Sequence, residues 1–147
     1  MSIGLILFAI IVSAIFALLE IQIEGENGWA SKLPTWRLKN PLKKFVNWPY
    51  LTGYHFYLHL LFIFILQLPF LLGFPFNLKN EILVIEILLL IMFTEDFLWF
   101  AFNPKWGVKR FFTEEVPWHS KKILFLPRNY WISFAIFAMV EIVRTMV

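Results

Sequence analysis

The sequence predicts an all-α polytopic membrane protein in which four transmembrane helices form one bundle. Three observations lead to this prediction. The 147 residues are 60% hydrophobic and 20% aromatic, whereas soluble domains are about 45–50% apolar. Four segments approach the length of about 20 apolar residues that spans a bilayer. Basic residues concentrate in two long loops between these segments, and both loops are predicted to lie along the cytoplasmic membrane surface.

The four predicted spans belong to a single transmembrane domain, residues 1–147. They are residues 2–19, 52–76, 82–102 and 129–147. The first span runs into Glu20 rather than into a small-residue cleavage site, so it is predicted to remain as an anchor. Pro69 and Pro75, near the end of the second span, are residues that kink or end a helix. The short turn at 77–81 makes the second and third spans an antiparallel hairpin.

Two connecting loops, 21–51 and 103–128, hold eleven of the thirteen Lys and Arg residues. Because Lys and Arg mark the cytoplasmic side of a membrane protein, both loops are predicted to be cytoplasmic and both termini to lie outside. The seven Trp residues fall in these loops or near the adjoining helix ends, and Trp prefers the headgroup level. Contact with membrane lipid explains the basic and aromatic residues of these loops, and no nucleic-acid partner is predicted.

Ionisable residues gather near the predicted cytoplasmic ends of the spans. An ionisable residue within a span costs about 2.5–3.5 kcal/mol on insertion scales unless it finds a partner, so it marks a candidate functional site. His55 and His59 are four residues apart and share one helical face. Three spans and the second loop contribute seven such residues at a similar depth: Glu20, Glu24, His55, His59, Glu95, Asp96 and His119.

Imidazole nitrogens and carboxylate oxygens are ligands that zinc and iron accept. The predicted ligands of one metal ion are His55, His59, His119, Glu20 and Glu95. Glu24 and Asp96 are predicted to orient those ligands or to hold a second ion. The motif is only moderately specific, because HFYLH lacks the glutamate of the zincin pattern HExxH. The chain also has no Glu-x-x-His pair of the kind found in carboxylate di-iron bundles.

Two functional hypotheses follow from this set of residues. The first is a membrane enzyme that uses non-haem iron or zinc to act on a lipid-like or apolar substrate. The second is a non-catalytic bundle that binds lipid or a partner membrane protein, with its polar residues paired internally or with basic loop residues. No nucleotide cofactor is predicted, since a Gly-rich phosphate loop is missing from the sequence. A homo-oligomer is compatible with either hypothesis.

Three further charges lie in the predicted outer half of the bundle. Glu141 and Arg144 are three residues apart on the fourth span, and this spacing places them side by side. Glu86 of the third span is at a similar depth. The three are predicted to form a structural ion pair rather than a functional site.

Overall fold

The computed structural model describes residues 1–43, 48, 50–119 and 121–147, and most of these residues are helical. The α-helices are α1 (Ile3–Glu24), α2 (Gly53–Leu71), α3 (Leu78–Phe102), α4 (Gly107–Phe111) and α5 (Arg128–Met146). A single 3-10 turn covers Pro117–His119 in the described chain. Two short antiparallel hairpins lie in the loops: β1 (Arg37–Lys39) with β2 (Tyr50–Thr52), and β3 (Lys122–Ile123) with β4 (Leu126–Pro127). The prediction of a mostly helical chain is confirmed.

Local capping residues set the helix ends. α1 continues past the predicted end of the first span to Glu24 and stops at Gly25, whose φ of 65° suits glycine. α2 begins after Thr52, whose hydroxyl accepts a hydrogen bond from the His55 backbone N–H at 3.3 Å. The Asn77 side chain caps α3 by accepting a hydrogen bond from the Asn80 N–H. The turn between α2 and α3 therefore lies at 72–77 rather than at 77–81.

α3 is the central helix, and it packs against α1, α2, α4 and α5. α1 faces it with three fully buried small residues spaced four apart, Ala9, Ser13 and Ala17. Small side chains let two helix backbones approach closely. The Ser13 hydroxyl lies 2.7 Å from the Ala9 carbonyl oxygen and 3.1 Å from the Ile91 carbonyl oxygen of α3. This stripe brings the end of α1 against the end of α3.

Two helices, α1 and α2, are long and apolar enough to cross a membrane. Much of their apolar surface is uncovered, including Leu61 and Phe64 of α2. α3 and α5 have 25 and 19 residues, but they carry several ionisable side chains. A bundle of four membrane spans therefore remains a prediction.

The two long loops pack at the end of the bundle where α1 and α3 end and where α2 and α5 begin, which is called the loop end below. A buried aromatic cluster holds the second loop there: Trp99, Phe100, Phe111, Trp118 and Tyr130. Asn103 Nδ2 donates a hydrogen bond to the Gly25 carbonyl oxygen at 3.0 Å, and Trp106 Nε1 donates one to the Glu26 carbonyl oxygen at 2.8 Å. These bonds tie the second loop to the end of α1, beside the predicted polar residues.

Candidate metal site

Among the predicted polar residues, Glu20, Glu24 and His55 form the most compact group, although Glu24 was predicted only to orient the ligands or to hold a second ion. Glu20 and Glu24 are four residues apart on the last turns of α1, and His55 is in the first turn of α2. One ligand atom from each lies within 4.8 Å of the others. His55 Nε2 is 3.6 Å from Glu24 Oε1. These three residues from two helices could hold one metal ion.

Two contacts orient the imidazole of His55. Its Nδ1 lies 2.6 Å from the Thr52 hydroxyl oxygen, so Nε2 is the nitrogen that faces Glu24. The indole of Trp29 stacks on the ring, with centroids 4.7 Å apart and planes inclined by 29°. A histidine that binds metal through one nitrogen usually has a hydrogen bond to oxygen at the other. His55 meets that requirement through Thr52.

The backbone of the first loop holds Glu24. The Ala30 N–H donates a hydrogen bond to Glu24 Oε1 at 2.5 Å, and the side chain of Glu24 is almost completely buried. Trp29 and Ala30 have φ values of 52° and 50°, in the left-handed region that costs an L residue about 1–2 kcal/mol. The hydrogen bond from this strained turn therefore fixes the Glu24 side chain. It uses Oε1 and leaves Oε2 outside the bond.

Glu95 and Tyr54 border the Glu20 carboxyl group. Glu95 is 8% exposed. Its Oε1 and the Tyr54 hydroxyl are both buried without a hydrogen-bond partner of normal geometry among the described residues. Both oxygens lie beside the Glu20 carboxyl group, so the three residues form one buried polar cluster.

The basic residues of the loops do not neutralise this group. Among the described residues, no Lys or Arg pairs with Glu20, Glu24 or Glu95. Lys105 Nζ instead lies 3.0 Å from the exposed Glu26 carboxylate, and this contact lowers the pKa of Glu26. Arg110 lies 3.7 Å from Glu115. Three buried carboxyl groups therefore lie together without a Lys or Arg partner in the described part of the chain.

His119 and Asp96 form a second polar group beside the first. His119 Nε2 lies 3.0 Å from Asp96 Oδ2, and the Tyr130 hydroxyl donates a hydrogen bond to the same oxygen at 2.6 Å. His119 is 3% exposed, between the rings of Phe100 and Phe111. Asp96 follows Glu95 on α3, but the structure does not bring His119 into the group formed by Glu20, Glu24 and His55.

His59 also lies outside that group. It is exposed on α2, and its Nδ1 lies 2.5 Å from the carbonyl oxygen of His55, one turn earlier. The centroids of the two imidazole rings are 6.4 Å apart. The shared helical face therefore does not give the two histidines the same environment.

The three outer charges lie together at the first half of α3, away from the loop end. Arg144 Nε lies 2.8 Å from Glu86 Oε1, and Arg144 Nη2 lies 2.6 Å from Glu141 Oε2. Glu86 is fully buried. These contacts join α3 to α5, and we refer to the three residues as the outer clasp.

Three aromatic residues of the loop end were not predicted from the sequence: Trp29, Tyr54 and Tyr130. Tyr54 precedes His55 in the chain, which is the one local signal that marks it. Trp29 and Tyr130 reach the polar groups through tertiary packing. In a chain with seven Trp, four Tyr and eighteen Phe residues, an aromatic side chain alone points to no particular site.

No family model matches the sequence, and no curated protein or solved structure is similar to the chain.

Proposed function

We propose that this chain is a four-span membrane protein whose loop end binds one zinc or non-haem iron ion through Glu20, Glu24 and His55. Glu95 supplies a further carboxylate oxygen beside Glu20. The observation that carries the proposal is the burial of three carboxyl groups with no Lys or Arg partner in the described chain. A divalent cation is the partner that such a set of oxygens, together with one imidazole, is suited to bind.

Membrane insertion is supported by the uncovered apolar surface of the long helices. Leu61, Phe64 and Leu71 of α2 are 54%, 68% and 83% exposed, and burial in lipid removes such surfaces from water. α3 and α5 complete the four spans. Their ionisable residues Glu86, Asp96 and Arg144 have partners within the bundle, as residues inside a membrane require. Both loops are cytoplasmic in this proposal, and both termini lie outside.

A lipid-like or apolar substrate is the class that fits this location. His55 is in the first turn of α2, and the apolar face of that helix is open to the surrounding lipid. An acyl chain lying along α2 would present its polar end near His55 and Glu24. A bound zinc ion would activate water for hydrolysis, whereas bound iron would support oxidation by oxygen.

Metal analysis of the purified protein tests the proposal. Protein in detergent is loaded with Zn²⁺ or Fe²⁺, freed of excess ion, and its metal content is measured by mass spectrometry. We expect one ion per chain in the wild type and much less in Glu24→Gln. Glu26→Gln is the matched control, because Glu26 is two residues away but exposed and paired with Lys105; it should retain the ion. A wild type that retains neither metal contradicts the proposal.

The catalytic part of the proposal has its own test. Loaded wild type and Glu24→Gln are incubated in vesicles of a polar lipid extract, with oxygen and ascorbate present; ascorbate supplies the two electrons that reduce the second oxygen atom to water when one atom enters a lipid. We expect mass spectrometry to show hydrolysed or oxygenated lipid with the wild type alone. Metal binding without any lipid product would reduce the proposal to a metal-binding membrane protein.

The alternative is a non-catalytic bundle that binds lipid or a partner membrane protein. The observation that favours it is the second polar group, in which Asp96 is already paired with both His119 and Tyr130. In that case Glu20, Glu24 and Glu95 would share protons instead of a metal ion. The metal analysis separates the two functions, because the alternative predicts no stoichiometric ion.

A further inference from the structure

A left-handed turn in the first loop lies directly against two of the three proposed ligands. Gly28, Trp29 and Ala30 follow one another with φ values of 56°, 52° and 50°. L side chains rarely adopt this conformation, and it persists where surrounding contacts enforce it. Two of the three residues are not glycine, so the turn needs an explanation in the contacts around it.

Contacts on both sides enforce the turn. The Arg37 guanidinium donates hydrogen bonds to the carbonyl oxygens of Ala30, Ser31 and Leu33, at 2.5, 3.2 and 3.1 Å. On the other side, Gly28 is pressed against the Trp118 ring, where a Cβ atom would lie only 2.5 Å from a ring carbon. The turn is therefore held between Arg37 of the first hairpin and Trp118 of the aromatic cluster.

The turn presents two groups to the site. The Ala30 N–H binds Glu24 Oε1, and the Trp29 indole covers one face of His55. Trp29 Nε1 donates a hydrogen bond to the Tyr50 carbonyl oxygen at 3.1 Å, which anchors the indole to β2. One short segment thus touches both partners of the 3.6 Å contact between His55 Nε2 and Glu24 Oε1.

We propose that Trp29 is a positioning residue of the metal site: its indole holds the His55 ring so that Nε2 faces Glu24 before any ion is bound. This inference rests on the proposed function. Arg37 and Trp118 hold the turn from outside the site, so the ion finds the imidazole and the carboxylate already arranged. Preorganisation of this kind strengthens binding because less ordering is needed when the ligand arrives.

The test compares Zn²⁺ affinity and apo-protein structure in three variants, with affinity measured by competition against a chromogenic chelator. Trp29→Leu keeps apolar bulk but loses the stacked ring, and we expect at least about tenfold weaker binding. Trp29→Phe keeps a ring over His55 and should bind within about threefold of the wild type. Trp131→Leu is the matched control, since Trp131 is also anchored by one hydrogen bond to a backbone carbonyl; its affinity should be unchanged.

The second readout uses the metal-free protein. The His55 ring proton signal in an NMR spectrum should be shifted by the ring current of Trp29, and Trp29→Leu should remove that shift while thermal unfolding of the apo protein stays close to wild type. Wild-type affinity in Trp29→Leu, or an unmoved His55 signal, overturns the inference and leaves the metal site standing. Tenfold weaker binding in a Trp29→Phe variant that keeps the ring-current shift of the His55 signal also overturns it, because the stack is then retained. A wild type that binds no Zn²⁺ overturns both proposals.

Discussion

At the residue scale, the two histidines of α2 show how neighbours on one helical face receive different environments. The His55 side chain is 18% exposed, is covered by Trp29 and lies against Glu24. His59 is one turn further on, faces outward and binds only a backbone oxygen of its own helix among the described contacts. The first loop covers the first turn of α2 but does not reach the second turn. It therefore covers His55 and leaves His59 exposed.

We therefore expect the same substitution to have different effects at the two histidines. His55→Ala removes the one imidazole near Glu20 and Glu24, so we expect Zn²⁺ or Fe²⁺ affinity to fall by at least about tenfold. His59→Ala should leave affinity within a factor of about two. Both are measured by chelator competition in detergent. Equal loss of affinity in the two variants would mean that His59 turns into the site when an ion is present.

At the element scale, the packing of α1 on α3 depends on small side chains. Ala9, Ser13 and Ala17 lie on one face of α1 and are fully buried. The short distance that they permit brings Glu20 to Glu95, because both carboxylates lie beyond the stripe on the facing helices. A regular small-residue spacing is visible in the sequence, although hydropathy alone does not reveal its importance.

Ala17→Leu should separate α1 from α3. A larger side chain in a close-packed contact costs about 1–3 kcal/mol of unfolding free energy, and we expect the metal affinity to fall with it. Ala14→Leu on the same helix is the control, because Ala14 is only partly buried, and it should cost less than about 1 kcal/mol. Denaturant unfolding followed by Trp fluorescence measures both. An Ala17→Leu variant as stable as Ala14→Leu would show that the helices are not closely packed there.

The outer clasp is a second element-scale contact, between α3 and α5. Glu86 is nine residues before Glu95, which is about 14 Å along the helix, so the clasp and the metal site are separate. Arg144→Met leaves the fully buried Glu86 without a cation, and removing one partner of a buried ion pair costs about 3–5 kcal/mol.

The clasp variants should change stability and not metal content. We expect Arg144→Met to be the most destabilised, Glu141→Gln to be affected less, and the double variant Glu86→Gln, Arg144→Met to recover part of the loss because no buried charge remains. Unfolding curves and metal analysis of the same preparations measure the two quantities. Loss of bound metal in Glu141→Gln at unchanged stability would show that the clasp belongs to the functional site.

At the scale of the whole molecule, α3 carries two separate polar groups, and the exposed surface of α1 and α2 around it is largely apolar. The two loops at the loop end carry eleven of the thirteen Lys and Arg residues and five of the seven Trp residues, whereas the turn at 72–77 carries no charge. An asymmetric distribution of Lys and Arg sets membrane orientation. The proposed metal ion would then lie near the cytoplasmic surface, within reach of ions from that compartment.

The orientation predicts opposite labelling of two surface positions. The chain has no cysteine, so single cysteines report without background. Phe125 in the second loop is 60% exposed and Leu72 in the turn is 78% exposed. In sealed cells, a membrane-impermeant maleimide should label Leu72→Cys, and Phe125→Cys should react only after the membrane is opened. The reverse pattern would place the loop end outside.

From the sequence we could predict the helical class, the long apolar segments, the two basic loops and the set of polar residues near one end. These properties depend on local composition and on helical spacing, both of which can be read along the chain. Glu20, Glu24 and His55 belong to that set, so the candidate site was reached in part from spacing alone.

Contacts between distant segments select which members of the set face one another. His55 rather than His59 meets Glu24, His119 turns to Asp96, and the backbone of Ala30 joins the site although its side chain has no polar group. Each of these contacts depends on a side-chain rotamer and on the path of a loop of about thirty residues that folds back onto the helices. Helical spacing fixes the direction of a Cα–Cβ bond, but only contacts between distant segments fix what that side chain touches.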